Sequence, residues 1–124
     1  TGDHQIEIWG DGQQTRSFMY IDDCVEGTLR LTGSDVVEPL NVGSSELVSI
    51  EGLVDIVESI AGITVERAHD LTAPQGVRGR NSDNTRIQQE LGWEPSISLF
   101  DGLTATYNWV EAQVAAALEV SGHR

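Results

Sequence analysis

The sequence predicts an α/β chain that holds only part of a sheet-based fold. Three observations point there. Short apolar runs alternate with segments of 3.6-residue periodicity along the 124 residues. The strands so marked are few and short. No G-x-G-x-x-G turn occurs, although a doubly wound sheet normally opens with a glycine-rich strand-to-helix turn of that kind. The chain therefore reads as the later portion of a larger unit, with residues 1–124 forming a single segment.

The elements follow in order. Residues 6–9, "IEIW", alternate as a strand does, "GDG" at 10–12 is a turn signal, and "TRSFMYI" at 15–21 reads as a second strand, so 6–21 is expected to be a hairpin. Asp23 suits a helix N-cap with Glu26 completing a capping box, which opens a helix over about 23–32 with Val25, Leu29 and Thr32 on one face. "PLNVG" at 39–43 has the character of a short buried strand. Ser49 caps a helix over 49–61, whose Ile50, Leu53, Val54, Val57 and Ile60 keep the helical period until Gly62 stops it. "ITVERA" at 63–68 returns as a strand. Thr85 and Gln88 suggest a capping box for a helix over 86–92, and Ser98 starts a last helix over 98–119 with Leu99, Leu103, Tyr107, Val110 and Val114 in register.

Charge narrows the function classes. Twenty acidic residues face seven basic ones, a net charge of −13, and every cation is an arginine. Such a surface repels nucleic acid and anionic membranes, both of which need a basic footprint. No apolar run approaches the ~20 residues of a membrane span. The lone Cys24 cannot form an internal disulfide, and the expected compartment is the cytoplasm.

Against that acidic background, "QGVRGRNSDN" at 75–84 places Arg78 and Arg80 in one glycine-rich loop. Arginine presents a planar fork of donors suited to two-point contact with phosphate oxygens. In an extended loop, residues two apart face the same side, so both forks can reach one anion. Arg16, beside Gln14 and Thr15, is a further candidate for such a clamp. The plain alternatives stand beside it: Arg16 as a surface strand residue, and Arg78 and Arg80 paired with Asp70 or Asp83. Asp22, Asp23 and Glu26 are better explained by helix capping than by a metal, so no metal ligands are assigned. Cys24 reads as a small packed residue. His4, His69 and His123 are too scattered for a ligand set, and no nucleophile–base constellation is present.

Two stretches carry a family resemblance. "IWGDGQQTRSFMYIDDCVEGTLRLT" with "PLNVGS", and later "GVRGRNSDNTRIQQELGWEP", resemble the C-terminal part of the extended short-chain dehydrogenase/reductases, the NAD-dependent epimerase/dehydratase family. "WGDGQQTRSF" and "GVRGRNSDN" are similar, more narrowly, to the GDP-mannose 3,5-epimerases. The resemblance covers about residues 5–112. It implies the C-terminal portion of a Rossmann-type fold, a substrate-binding lobe plus a late sheet strand without the dinucleotide-binding half. It places Gln14, Thr15, Arg16 and Arg80 at a nucleotide sugar, GDP-mannose first, with Arg78 in support. It also implies NAD in the complete enzyme, with no cofactor-binding residue here. The Tyr-x-x-x-Lys pair and the acid/base Cys and Lys of such enzymes are not matched, so no residue is assigned a catalytic role and the chain alone is expected to be inactive. Either a missing N-terminal half or self-association is expected to cover its open faces. A UDP- or dTDP-sugar epimerase or dehydratase is the alternative within the family, and a non-catalytic acidic assembly domain is the alternative outside it.

Overall fold

The expected hairpin does not form. A computed structural model describes residues 4–121, and in it strand β1 (Gln5–Trp9) pairs not with its successor but in parallel with β4 (Glu66–Asp70), Gln5 opposite Glu66 and Trp9 opposite Asp70. Strand β2 (Thr15–Arg16) pairs antiparallel with β3 (Val48–Ser49) instead. The turn between β1 and β2 explains the difference. Gly10 and Gly12 both take positive φ, 84° and 72°, and the Gly10 N–H donates to the Asp70 carbonyl, extending the β1–β4 ladder past its end. The next carbonyls are captured by helix α2 (Ile50–Ala61): the Ile50 N–H donates to Gln14 O and the Glu51 N–H to Gly12 O. Those are first-turn N–H groups, which have no partner within their own helix. The turn is thus docked on a helix end and sends β2 across to β3.

Helix α1 (Ile21–Thr32) starts two residues earlier than its composition suggests, and Asp23 does not cap it. Asp23 lies inside the helix, buried, and its carboxylate accepts from the Ser96 and Ile97 N–H groups at 3.0 and 2.8 Å. Glu26 forms no capping box either; it pairs with Arg30 one turn on. The buried side of α1 is the Asp23–Gly27 side, whereas Val25 and Leu29 are exposed. Gly27 is required by close packing: a Cβ there would come within 2.7 Å of Val42 and 2.8 Å of the Trp93 ring. The Arg30 guanidinium lies 5.9 Å from the centre of that same ring.

Residues 39–43 are not a strand, because no neighbouring strand offers them a ladder among the described residues. Side chains satisfy part of their backbone: Asn84 Nδ2 donates to Gly43 O and Arg86 to Pro39 O. The Ser49 cap forms as expected, accepting from the Gly52 N–H at 3.0 Å, and Gly62 ends α2 in the left-handed region. The strand expected at 63–68 is shifted to β4. Helix α3 (Thr85–Leu91) is started by Asp83, which accepts from both the N–H and hydroxyl of Thr85, and Gln88 turns instead to Glu94. Ser98 and Asp101 exchange hydrogen bonds at the start of α4 (Leu99–Ser121), which packs its first turns against α2.

Only Ile8, Ile87 and Leu99 are buried apolar side chains among the described residues. The accessible surface is 8564 Å². A compact monomer of this mass exposes roughly 6,500 Å². The excess lies on element faces without a covering layer, including Val25 and Leu29 on α1 and Trp109, Val114 and Leu118 on α4.

Candidate functional site

The segment after β4 lies along β2 as a strap, and β2 is what fixes it. The Thr15 N–H donates to Arg78 O at 2.9 Å. The Arg16 guanidinium bridges two strap carbonyls, Val77 O at 2.7 Å and Gln75 O at 2.9 Å, and also its neighbour Thr15 O at 2.7 Å. A delocalised fork suits this task, since it satisfies several carbonyls at fixed spacing. Glycine is needed where the two chains touch. A Cβ on Gly79 would lie 2.6 Å from the Thr15 hydroxyl oxygen, and Gly76 combines φ 69° with close approach of Arg16 Nη2. Past the strap, the chain is held to residues 43–45: Ser82 N–H donates to Ser44 O, Asn81 to Ser45 O and the buried Asn84 to Gly43 O.

The arginines placed together by this geometry differ in what they are free to do. Arg16 is committed to backbone carbonyls. Arg78 pairs with Asp11 of the β1–β2 turn, at 3.1 and 3.0 Å to its two oxygens, and not with Asp70 or Asp83. Those two carboxylates make turns with Thr72 and Thr85, and these hydrogen bonds hold both below the ordinary aspartate range. Asp11 is likewise held low, first by the Gln13 N–H and then by Arg78. Arg80 is exposed and its side chain makes no hydrogen bond or ion pair among the described residues. Gln14 is turned inward, only 5% exposed, donating to Trp9 O at 2.7 Å while its Oε1 is buried without a partner. Thr15, Arg16 and Arg78 are therefore joined by these contacts in one patch, Arg80 follows two residues on in the strap, and the Gln14 side chain is buried beside them in the chain.

A second charged cluster supports this patch and carries no sequence signature. Arg67 on β4 reaches Glu51, Asp55 and Glu58 on α2, and His69 contacts the other Glu51 oxygen. These bonds keep Glu51 below the usual carboxylate range, the contact with His69 most of all and then Arg67. The Glu51 carboxylate also packs on Gly12, where a Cβ would lie 2.6 Å from its Oε1. Glu51 thus joins α2, β4 and the turn that leads to Thr15 and Arg16. The apolar cleft between β1, α2 and α4, lined by Ile6, Leu53, Val57 and Tyr107 among others, shares no residue with the patch.

The sequence profile of the family described as GDP-mannose 4,6 dehydratase matches residues 1–106, most of the chain. The chain belongs to this family. It is 51% identical over 114 residues to GDP-mannose 3,5-epimerase 1 of Oryza sativa subsp. indica, covering 92% of this chain and 30% of that protein. Among solved structures, the UDP-glucose 4-epimerase of Thermotoga maritima, determined with UDP-glucose, superposes with a TM-score of 0.83 at 28% identity, over 89% of this chain and 36% of its own. The UDP-glucuronic acid 4-epimerase of Bacillus cereus, in complex with UDP-glucuronic acid and NAD, gives 0.81 at 31% identity, over 88% and 36%. The fold of this family member is accordingly a portion of the Rossmann-type epimerase fold, and the chain spans about a third of the length of the relatives it matches.

Among the described residues, the turn after β1 does not have the form of a dinucleotide cradle. Gly10-Asp11-Gly12 follows a parallel strand, as a pyrophosphate-binding turn does, but it runs into β2 and not into a helix N-terminus. No step involving NAD is assigned to them. No helix of the described residues is long and apolar enough to cross a membrane.

Proposed function

We propose that this chain is the nucleotide-sugar-binding part of a GDP-mannose 3,5-epimerase-like enzyme, with the strap at 75–80 presenting Arg80 to the substrate diphosphate. One observation carries the reading: beside two arginines already engaged, Arg80 is exposed in the strap and without a partner among the described residues. A cationic fork held near a diphosphate contributes binding energy through charge-assisted hydrogen bonds. That energy orients the hexose for chemistry carried out by groups outside these residues. Arg16 acts one step back, by fixing the strap carbonyls and with them the position of both loop arginines. Thr15 fixes the same strap from its backbone, and Gln14 holds the turn from beneath through Trp9 O.

GDP-mannose is favoured over a UDP-sugar by the 51% identity to a GDP-mannose 3,5-epimerase, against 28% and 31% to the UDP-sugar epimerases of known structure. The test is incubation of the full-length protein with GDP-mannose in D₂O, followed by NMR of the hexose. Inversion at C3 and C5 by proton transfer predicts deuterium at both carbons. Absence of exchange at both, with exchange or turnover of a UDP-sugar, would replace the reading by its UDP-sugar counterpart.

A further inference from the structure

The pairing of Arg78 with Asp11 has a meaning beyond loop stability. We propose that Asp11 is a parking carboxylate: it holds the Arg78 fork at the β1–β2 turn until a bound diphosphate displaces it, so that Arg78 joins Arg80 as the second phosphate contact. The proposal rests on the reading of the strap as a diphosphate site.

Four observations carry it. First, the ion pair does not hold the strap. The Arg78 carbonyl is already fixed by the Thr15 N–H, and its neighbours Gln75 and Val77 by Arg16, so Asp11 determines only where the Arg78 side chain points. Second, the carboxylate is preset independently of Arg78, because Asp11 Oδ1 accepts from the Gln13 N–H at 2.9 Å within the same turn. Third, the pair lies in water, with the side chains 65% and 45% exposed. Exposed pairs of this kind are weak, and a diphosphate carries more charge than one carboxylate. Fourth, the other arginines of the described residues are engaged elsewhere: Arg16 and Arg86 on carbonyls, Arg30 on Glu26, and Arg67 on three carboxylates. Arg78, in contrast, is held through its side chain by one exposed carboxylate, so it is the arginine beside Arg80 most readily released to a phosphate.

Partner exchange makes Asp11 a brake on nucleotide affinity. The test is calorimetric titration of the full-length protein with GDP, in wild type, Asp11→Asn, Arg78→Gln, the double variant and Arg80→Gln. Asparagine keeps an acceptor for the Gln13 N–H, and Asp11→Ser serves as a second variant should Asp11→Asn fold poorly. Releasing an exposed ion pair predicts GDP affinity about two- to fivefold tighter in Asp11→Asn. That gain vanishes in the Arg78→Gln background. Equal tightening with and without Arg78 would mean simple removal of negative charge, and weaker or unchanged affinity in Asp11→Asn would mean a structural pair; either overturns the proposal. Arg80→Gln separates the two levels. If it leaves GDP affinity intact, the diphosphate reading itself fails; if it weakens GDP while Asp11 and Arg78 show no coupling, only the parking role fails.

Discussion

At the scale of single residues, the same side-chain chemistry ends in different roles because of what the backbone places beside it. Arg16, Arg78 and Arg80 are indistinguishable by composition, and spacing alone leaves all of them as candidates for one anion. The structure sorts them by partner: two carbonyls of the strap for Arg16, a turn carboxylate for Arg78, solvent for Arg80. A positioning role for Arg16 makes a specific prediction. Arg16→Lys keeps the charge but loses the fork, so it cannot bridge the Gln75 and Val77 carbonyls. It should weaken nucleotide-sugar binding in the full-length protein by about 1.5–3 kcal/mol, the range for charged hydrogen bonds. Faster amide hydrogen exchange across 75–80 should accompany the loss. Lysine that restores both affinity and protection would place Arg16 at the ligand as a simple cation.

At the scale of elements, what was legible in the sequence divides along local and non-local interactions. The Ser49 cap, the Gly62 stop and the Ser98 start are set by groups within a few residues of each other, and all are found. Pairing partners are not local. Asp23 looks like a cap because it has the right spacing to Glu26, but its acceptors serve Ser96 and Ile97, more than seventy residues away. Likewise the "GDG" turn signals a hairpin only if β1 has a free successor, and here α2 takes the carbonyls that would have turned the chain back. "PLNVG" has strand character without a strand beside it. The Glu51–Arg67–His69 cluster left no motif because Glu51 is 16 and 18 residues from its two partners and meets them only across α2 and β4.

Gly27 tests the packing account of α1. Alanine in a helix interior is normally favoured over glycine by about 1 kcal/mol. Here the new methyl would meet Val42 and the rigid Trp93 ring within 2.8 Å. Overpacking of that kind costs about 1–3 kcal/mol, so Gly27→Ala is expected to be net destabilising, by up to about 2 kcal/mol in urea unfolding of the full-length protein. A stabilised Gly27→Ala would mean that α1 and Trp93 are not packed as described.

At the scale of the whole molecule, the acidic balance and the open faces are two parts of one description. A net charge of −13 disfavours anionic partners over most of the surface, and the strap is where two of the seven arginines stand close in sequence. The surface excess over a compact monomer, and the exposed Val25, Leu29, Trp109 and Val114, go with a chain that spans 30% of the length of its relative. That the chain carries only a portion of the Rossmann-type fold was legible from the missing glycine-rich turn and the short strands. Which faces stay open was not, because that depends on the packing of α1 and α4. The central claim is that Arg80 is the diphosphate contact, and calorimetric titration of the full-length protein with GDP-mannose tests it most directly. Replacement by glutamine removes one charge-assisted contact, so Arg80→Gln should weaken binding by about 1.5–3 kcal/mol, roughly ten- to 150-fold, with the thermal midpoint unchanged because the side chain has no partner to lose. Equal affinity for GDP-mannose in wild type and Arg80→Gln would contradict it.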